Sequence, residues 1–146
     1  MSNTNEMMIV FDSKSKNESF ARVAVAVFVA QLDPNMEELS DIKTAVSEAV
    51  TNAIIHGYEN CEGKVTLSCK IEDNFVTIEV SDEGCGIPDI HQAMEPLFTT
   101  KPDEERSGMG FAFMEAFTDD LEVVSEVGKG TRIIMKRHIK GSGVES

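Results

Sequence analysis

At 146 residues, the chain is long enough for one sizeable core and too short for two. A hydrophobic share of 41% and a charged share of 27% fit a soluble globular domain, and a net charge of −13 opposes non-specific binding to nucleic acid and favours basic partners. Three cysteines without a C-x-x-C pair argue against a disulfide framework or a zinc site, and no apolar run reaches the ~20 residues that span a bilayer. The start, MSNTNEMM, has neither the basic region nor the apolar stretch of a signal peptide, so a cytosolic protein is expected, with no membrane and no direct nucleic-acid partner.

Glu6 to Phe11 reads as a first strand. Ser15 and Glu18 then have the S-x-x-E spacing of a capping box, opening a helix to about Leu32 that Asp33-Pro34 ends. Within it Val23, Val25, Val27 and Val29 alternate as a strand would, and length together with the capping box favours a helix. Asn35 and Glu38 cap a second helix, whose apolar stripe runs through Ile42, Ala45, Val46, Ala49, Val50, Ala53 and Ile54 to a terminator at Gly57. Val65, Leu67, Cys69 and Ile71 alternate with polar residues, turn at Asp73-Asn74 and return through Val76, Ile78 and Val80, which makes a hairpin. A long loop follows from Asp82 to about Ser107, then a helix from Gly108 to Phe117 and a hairpin of residues 121–127 and 131–139. Lys129, Arg132, Lys136, Arg137 and Lys140 read as a solvated basic face. The order predicts one domain over residues 1–140 with a loose tail at 141–146. Its fold class is α/β, a two-layer sandwich with a mixed, mostly antiparallel sheet and helices on one face.

Three stretches carry chemistry. In SEAVTNAIIHGY, Glu48, Asn52 and His56 recur every four residues, forming one ridge of the second helix. A carboxylate there can take a proton from a hydroxyl, and an amide oxygen one turn on can ligate Mg²⁺. Alternatively the ridge is the polar flank of an amphipathic helix. Zinc is excluded for Glu48 and His56, which lie two turns apart. In SDEGCGIPD, a strand delivers Asp82 to its end, followed by Gly84 and Gly86. The carboxylate can accept from an exocyclic amine such as that of adenine, and glycines permit close approach of a flat ring; a tight acidic corner is the other reading. In FTTKPDEERSGMGF, Gly108-Met109-Gly110 offers amides to phosphate at a helix start, with Lys101, Arg106 and Ser107 adding cations and a hydroxyl. Gly130-Thr131 opens the last strand.

Together these motifs resemble the asparagine and glycine boxes of the GHKL ATPase/kinase superfamily, which includes DNA gyrase and the histidine kinases. Within it, NESFARV, VSEAVTNAIIHGY, DEGCGIPD, PLFTTKP and ERSGMGF are similar to the sporulation anti-sigma factors that are also serine kinases. The resemblance implies ATP or ADP with Mg²⁺ in a Bergerat-type pocket. Asp82, with Thr131 beside it, would receive the adenine amine, with Gly84 and Gly86 clearing space. Asn52 would hold Mg²⁺, and Glu48 would be the general base. Gly108, Met109 and Gly110 would cradle phosphates under a lid containing Thr100, Lys101, Arg106 and Ser107. Implied partners are a sporulation sigma factor and an anti-anti-sigma protein phosphorylated on serine, within a homodimer. Arg22, the one charge in FARVAVAVFVA, would meet an acidic partner surface, or else is a solvated edge residue. The alternatives are a histidine-kinase catalytic domain, which lacks its dimerisation helix pair here, and a nucleotide-dependent binding module without catalysis, which needs no base at position 48.

Overall fold

The computed structural model describes residues 4–57, 63–84 and 110–141. Five strands form one sheet: β1 (Thr4–Asp12), β2 (Lys64–Glu72), β3 (Phe75–Asp82), β4 (Asp120–Glu126) and β5 (Gly130–His138), in the order β1-β2-β3-β5-β4. All four pairings are antiparallel, so the described sheet is not mixed but uniformly antiparallel. The helices are α1 (Asn17–Val29), continued by a 3₁₀ turn at Ala30–Leu32, then α2 (Met36–Asn52), continued by a π turn at Ala53–Gly57, and α3 (Gly110–Ala116).

Alternation in the strands is what builds the two layers. Val65, Leu67, Cys69 and Ile71 of β2, and Val76, Ile78 and Val80 of β3, are buried, with polar residues pointing the other way. Ile133 and Met135 of β5 continue this face. Against it lie Ala21, Val25 and Val29 of α1 and the predicted stripe of α2, from Ile42 to Ala53. The core therefore sits between the sheet and helices on one side. Cys69 is buried in it as a free thiol, and burial pushes its pKa up to about 12, which leaves it unreactive.

The valine run of α1 is helical because its members serve two faces. Val25 and Val29 are buried, whereas Val23 and Val27 are exposed, so the two-residue alternation was a coincidence of a doubly apolar helix. The expected capping box at Ser15 does not form. Helix α1 starts at Asn17 with Lys16 before it and no side-chain cap, and Glu18 N–H donates to the backbone oxygen of Ser15 at 3.2 Å. The Glu18 side chain turns instead to Arg22, 3.6 Å away.

At α2 the expected box is present. Asn35 Oδ1 accepts Glu38 N–H at 2.8 Å, and Glu38 Oε1 accepts Asn35 N–H at 3.0 Å. Glu38 also takes the amides of Lys140 and Gly141 at 2.6 and 3.2 Å. Burial alone would raise its pKa, but these amides and nearby Arg137 hold it below the ordinary value. Gly141, the first residue of the expected tail, is thus tied to α2; residues 142–146 lie outside the described structure. The basic C-terminal face is also not uniformly solvated. Arg137 Nη1 donates to Asp41 at 2.9 Å and to the Phe117 carbonyl at 2.7 Å, joining β5 to α2 and to the end of α3.

Candidate functional site

The site begins with a row of residues running across the sheet. Phe11, Val65, Asp82, Thr131 and Ser125 stand opposite one another on the five strands, all on the helix-facing side. The first two are apolar; the last three place a carboxylate and two hydroxyls where the core pattern calls for hydrophobic side chains. Asp82 is 6% exposed and Thr131 is 5% exposed. A buried carboxylate is costly unless hydrogen bonds hold it. Asp82 Oδ1 accepts the Gly84 N–H at 2.9 Å, an Asx turn that bends the chain as it leaves β3. Burial pushes the Asp82 pKa above the ordinary carboxylate value, while the amides of Gly84 and Thr131 oppose that rise. Gly84 therefore positions the acid, a task the spacing of the glycines alone did not disclose.

Gly130 completes this end of the site by backbone contact. Its φ is +113°, and a Cβ there would lie 2.1 Å from the Asp82 carbonyl oxygen. Only a glycine lets β5 begin so close to the end of β3. Gly130→Ala is expected to destabilise the fold by at least ~2 kcal/mol and, in the folded fraction, to displace Asp82. A melt unchanged from wild type would contradict this close approach. Next to it, Ser125 Oγ lies 2.8 Å from Thr131 Oγ1 and 3.2 Å from the Gly130 carbonyl. Sequence reasoning passed over Ser125, because one hydroxyl in an alternating strand carries no signal until the register is known.

Glu48 and Asn52 come from α2. Glu48 is 9% exposed, so it is not on a solvated polar flank. Asn52, half-buried, is the last α-helical residue, and the π turn that follows packs against β3 and β5, the strands carrying Asp82 and Thr131. Such π turns are frequent at functional sites. This one spans Ala53–Gly57, the end of the expected ridge, of which Glu48 and Asn52 lie on the regular α-helix.

A groove of about 460 Å³ lies along α1 and α2, lined by Arg22, Met36, Leu39, Ser40, Lys43, Thr44, Ser47 and Glu48. Its α2 residues run from Met36 to Glu48, so Glu48 forms the end nearer Asn52. Neither Asn52 nor Asp82 lines it. Arg22 is held at the groove by its own helix, with Nη1 3.6 Å from Glu18 Oε2 and Nη2 donating to Ser19 Oγ at 3.2 Å. The structure thus joins Glu48 to Arg22 in one groove, and Asp82 to Thr131 in one polar row.

Of the other expected site residues, Gly110 opens α3, which packs on α2. Gly86, Thr100, Lys101, Arg106, Ser107, Gly108 and Met109 lie outside the described residues. For Mg²⁺, no group of three His, Cys, Asp or Glu side chains could hold a metal among the described residues. One amide oxygen at the end of α2 still fits a hard cation that keeps several waters and takes phosphate oxygens for the rest. No described helix is long and apolar enough to cross a membrane.

Comparison with known proteins agrees with this architecture. The model of the histidine kinase-like ATPase domain matches residues 12–137. The chain is 63% identical to the anti-sigma F factor of Clostridium acetobutylicum, over 91% of this chain and 93% of that protein. It is 59% identical to the anti-sigma F factor of Bacillus subtilis, over 94% and 95%. A solved structure of the RsbU and RsbW domains of Rv1364c from Mycobacterium tuberculosis superposes with a TM-score of 0.67 at 19% identity, covering 92% of this chain and 32% of that one. This chain thus spans about a third of that longer protein, and the likeness concerns the fold. The match of nearly the whole chain, on a sheet that buries an aspartate where β3 pairs with β5, places the protein: it belongs to the histidine kinase-like ATPase family and, within it, to the anti-sigma F factors.

Proposed function

We propose that this protein is a cytoplasmic anti-sigma factor and ATP-dependent serine kinase: it sequesters a sporulation sigma factor and inactivates the anti-anti-sigma antagonist by phosphorylating it. The observation that carries the reading is that the buried Glu48 carboxylate and the Arg22 guanidinium share one groove. A partner whose acidic surface pairs with Arg22 would have a neighbouring serine within the same groove as the base. A module that only binds nucleotide needs no proton acceptor at that end of the groove.

In this reading Asp82 accepts the adenine amine, and Thr131 stands beside it. Asn52 would hold Mg²⁺, which would supply screening of the phosphate charge and orientation of the terminal phosphoryl group. Gly84, Gly86, Gly108, Met109 and Gly110 give backbone room and amides to base and phosphates. Thr100, Lys101, Arg106 and Ser107 close over them. Glu48 takes the proton of the attacking serine hydroxyl as its oxygen joins the γ-phosphorus and the bond to ADP breaks.

Incubation with labelled ATP tests this. Label is expected on a serine of the anti-anti-sigma protein, and label on histidine of this chain would favour a histidine-kinase reading instead. Arg22→Glu is expected to weaken binding of that partner or the sigma factor at least tenfold, since the new acid also repels Glu18, and to leave ATP affinity unchanged. Equal loss of ATP binding would remove Arg22 from the partner surface.

The protein acts as a homodimer in this account. The sheet face opposite the helices is available for it, with Met8 68% and Val10 57% exposed on β1. Native mass measurement should give two chains; a monomer at all concentrations would exclude this use of the face.

A further inference from the structure

The groove that ends at Glu48 carries more positive charge than Arg22 alone. Lys43, exposed on α2, also lines it, roughly 7.5 Å before Glu48 along the helix axis. With 26 acidic residues in the chain, a cation has many carboxylates to choose from. Lys43 takes none: among the described residues no carboxylate lies within ion-pair distance of it. Its neighbours one turn away, Leu39, Ser40, Val46 and Ser47, are uncharged. Two acids of its own helix are committed elsewhere. Asp41 takes Arg137 at 2.9 Å, and Glu38 takes the amides of Asn35, Lys140 and Gly141. From α1, Arg22 reaches Glu18 only at 3.6 Å, and its side chain stays 34% exposed. Met36, which is exposed, and Leu39, which is half-buried, make the end of the groove away from Glu48 apolar.

We propose that Lys43 is a second docking cation, which with Arg22 receives an acidic surface of the protein that brings its serine to Glu48. This deepens the kinase reading and rests on it. Charge and position choose the occupant. Two cations in one groove of a protein of net charge −13 attract a carboxylate-bearing partner and fix how it docks. The base at one end asks for a hydroxyl on that same partner surface, and the apolar end asks for an apolar side chain. Met36 lies about 18 Å from Glu48 along the axis, so the serine substrate presents hydroxyl, acid and apolar group in that order over such a length. A sigma factor that is held without being phosphorylated has no use for the Glu48 end. Lys43 meets the partner and not the reacting atoms, so it sets affinity and specificity rather than rate.

The test is steady-state transfer of labelled phosphate from ATP to the anti-anti-sigma protein by the full chain with Mg²⁺, alongside titration of ATP. Lys43→Glu should raise KM for that protein at least tenfold, with kcat and ATP affinity within about twofold of wild type. Lys43→Gln should raise it about threefold and flatten its rise with added salt, because one screened charge pair is gone. Lys43→Arg keeps the charge and should hold KM within about twofold. An unchanged KM in Lys43→Glu overturns the proposal. So does an equal rise in Lys43→Arg, the mark of a packing effect, or a fall in kcat or ATP affinity with KM unmoved. If Lys43→Glu weakens sigma-factor binding and spares KM for the anti-anti-sigma protein, the occupant is wrong and the proposal falls likewise. Arg22→Glu is assayed in parallel. If it raises KM while Lys43→Glu does not, only the role of Lys43 falls; if the wild-type chain transfers no phosphate to serine, the kinase reading falls and takes this proposal with it.

Discussion

Asp82→Asn is expected to abolish ATP binding, with affinity lowered by at least ~100-fold and the fold retained. The wild-type carboxylate is 6% exposed and held by the amides of Gly84 and Thr131, so it is fixed before any ligand arrives. Its accepting lone pairs are what an adenine amine needs. Asparagine has nearly the same shape but only one accepting oxygen, which the Gly84 amide already claims in wild type. The NH₂ that replaces the other oxygen would face the adenine amine donor to donor. Because burial raises the Asp82 pKa, the same loss is expected as the pH of the wild-type protein falls, beginning above the range of an exposed aspartate. Calorimetry separates this from unfolding when paired with a melt, and undiminished ATP affinity in the variant would defeat the assignment.

Glu48→Gln is expected to leave ATP affinity within about twofold and to slow phosphoryl transfer by ~10²–10⁴-fold, the usual contribution of a positioned base. The glutamine keeps the volume of a side chain that lines the groove and is 9% exposed, so packing should survive. It loses the capacity to take a proton. Single-turnover transfer to the anti-anti-sigma serine, with nucleotide saturating, isolates that step. Wild-type rates in this variant would rule out a base at position 48 and return Glu48 to a structural role.

Much of the frame was readable from local pattern. The hairpin of β2 and β3 announced itself through strict alternation, and the α2 stripe and its Asn35–Glu38 box were read correctly because each involves residues close in sequence. What escaped was non-local or conformationally subtle. The S-x-x-E spacing at Ser15 promised a cap, but Glu18 is drawn to Arg22 on its own helix, which a motif cannot weigh. The π turn after Asn52 has no periodic signature, since it lengthens one turn of an otherwise regular helix. Arg137 looked like part of a solvated face until Asp41, 96 residues away, was placed against it. The candidate site divides the same way: Asp82, Glu48 and Thr131 stood out in the sequence as polar groups within their motifs, whereas the place of Ser125 behind Thr131, and the contact of Gly130 with the Asp82 backbone, follow only from strand register.

The most direct measurement is a crystal structure of the protein with Mg²⁺ and a non-hydrolysable ATP analogue. It should show the adenine amine on the Asp82 carboxylate, the metal on the Asn52 amide oxygen, and the terminal phosphate directed toward the groove that ends at Glu48. A nucleotide seated elsewhere, or a base that leaves Asp82 untouched, would contradict the account at its root.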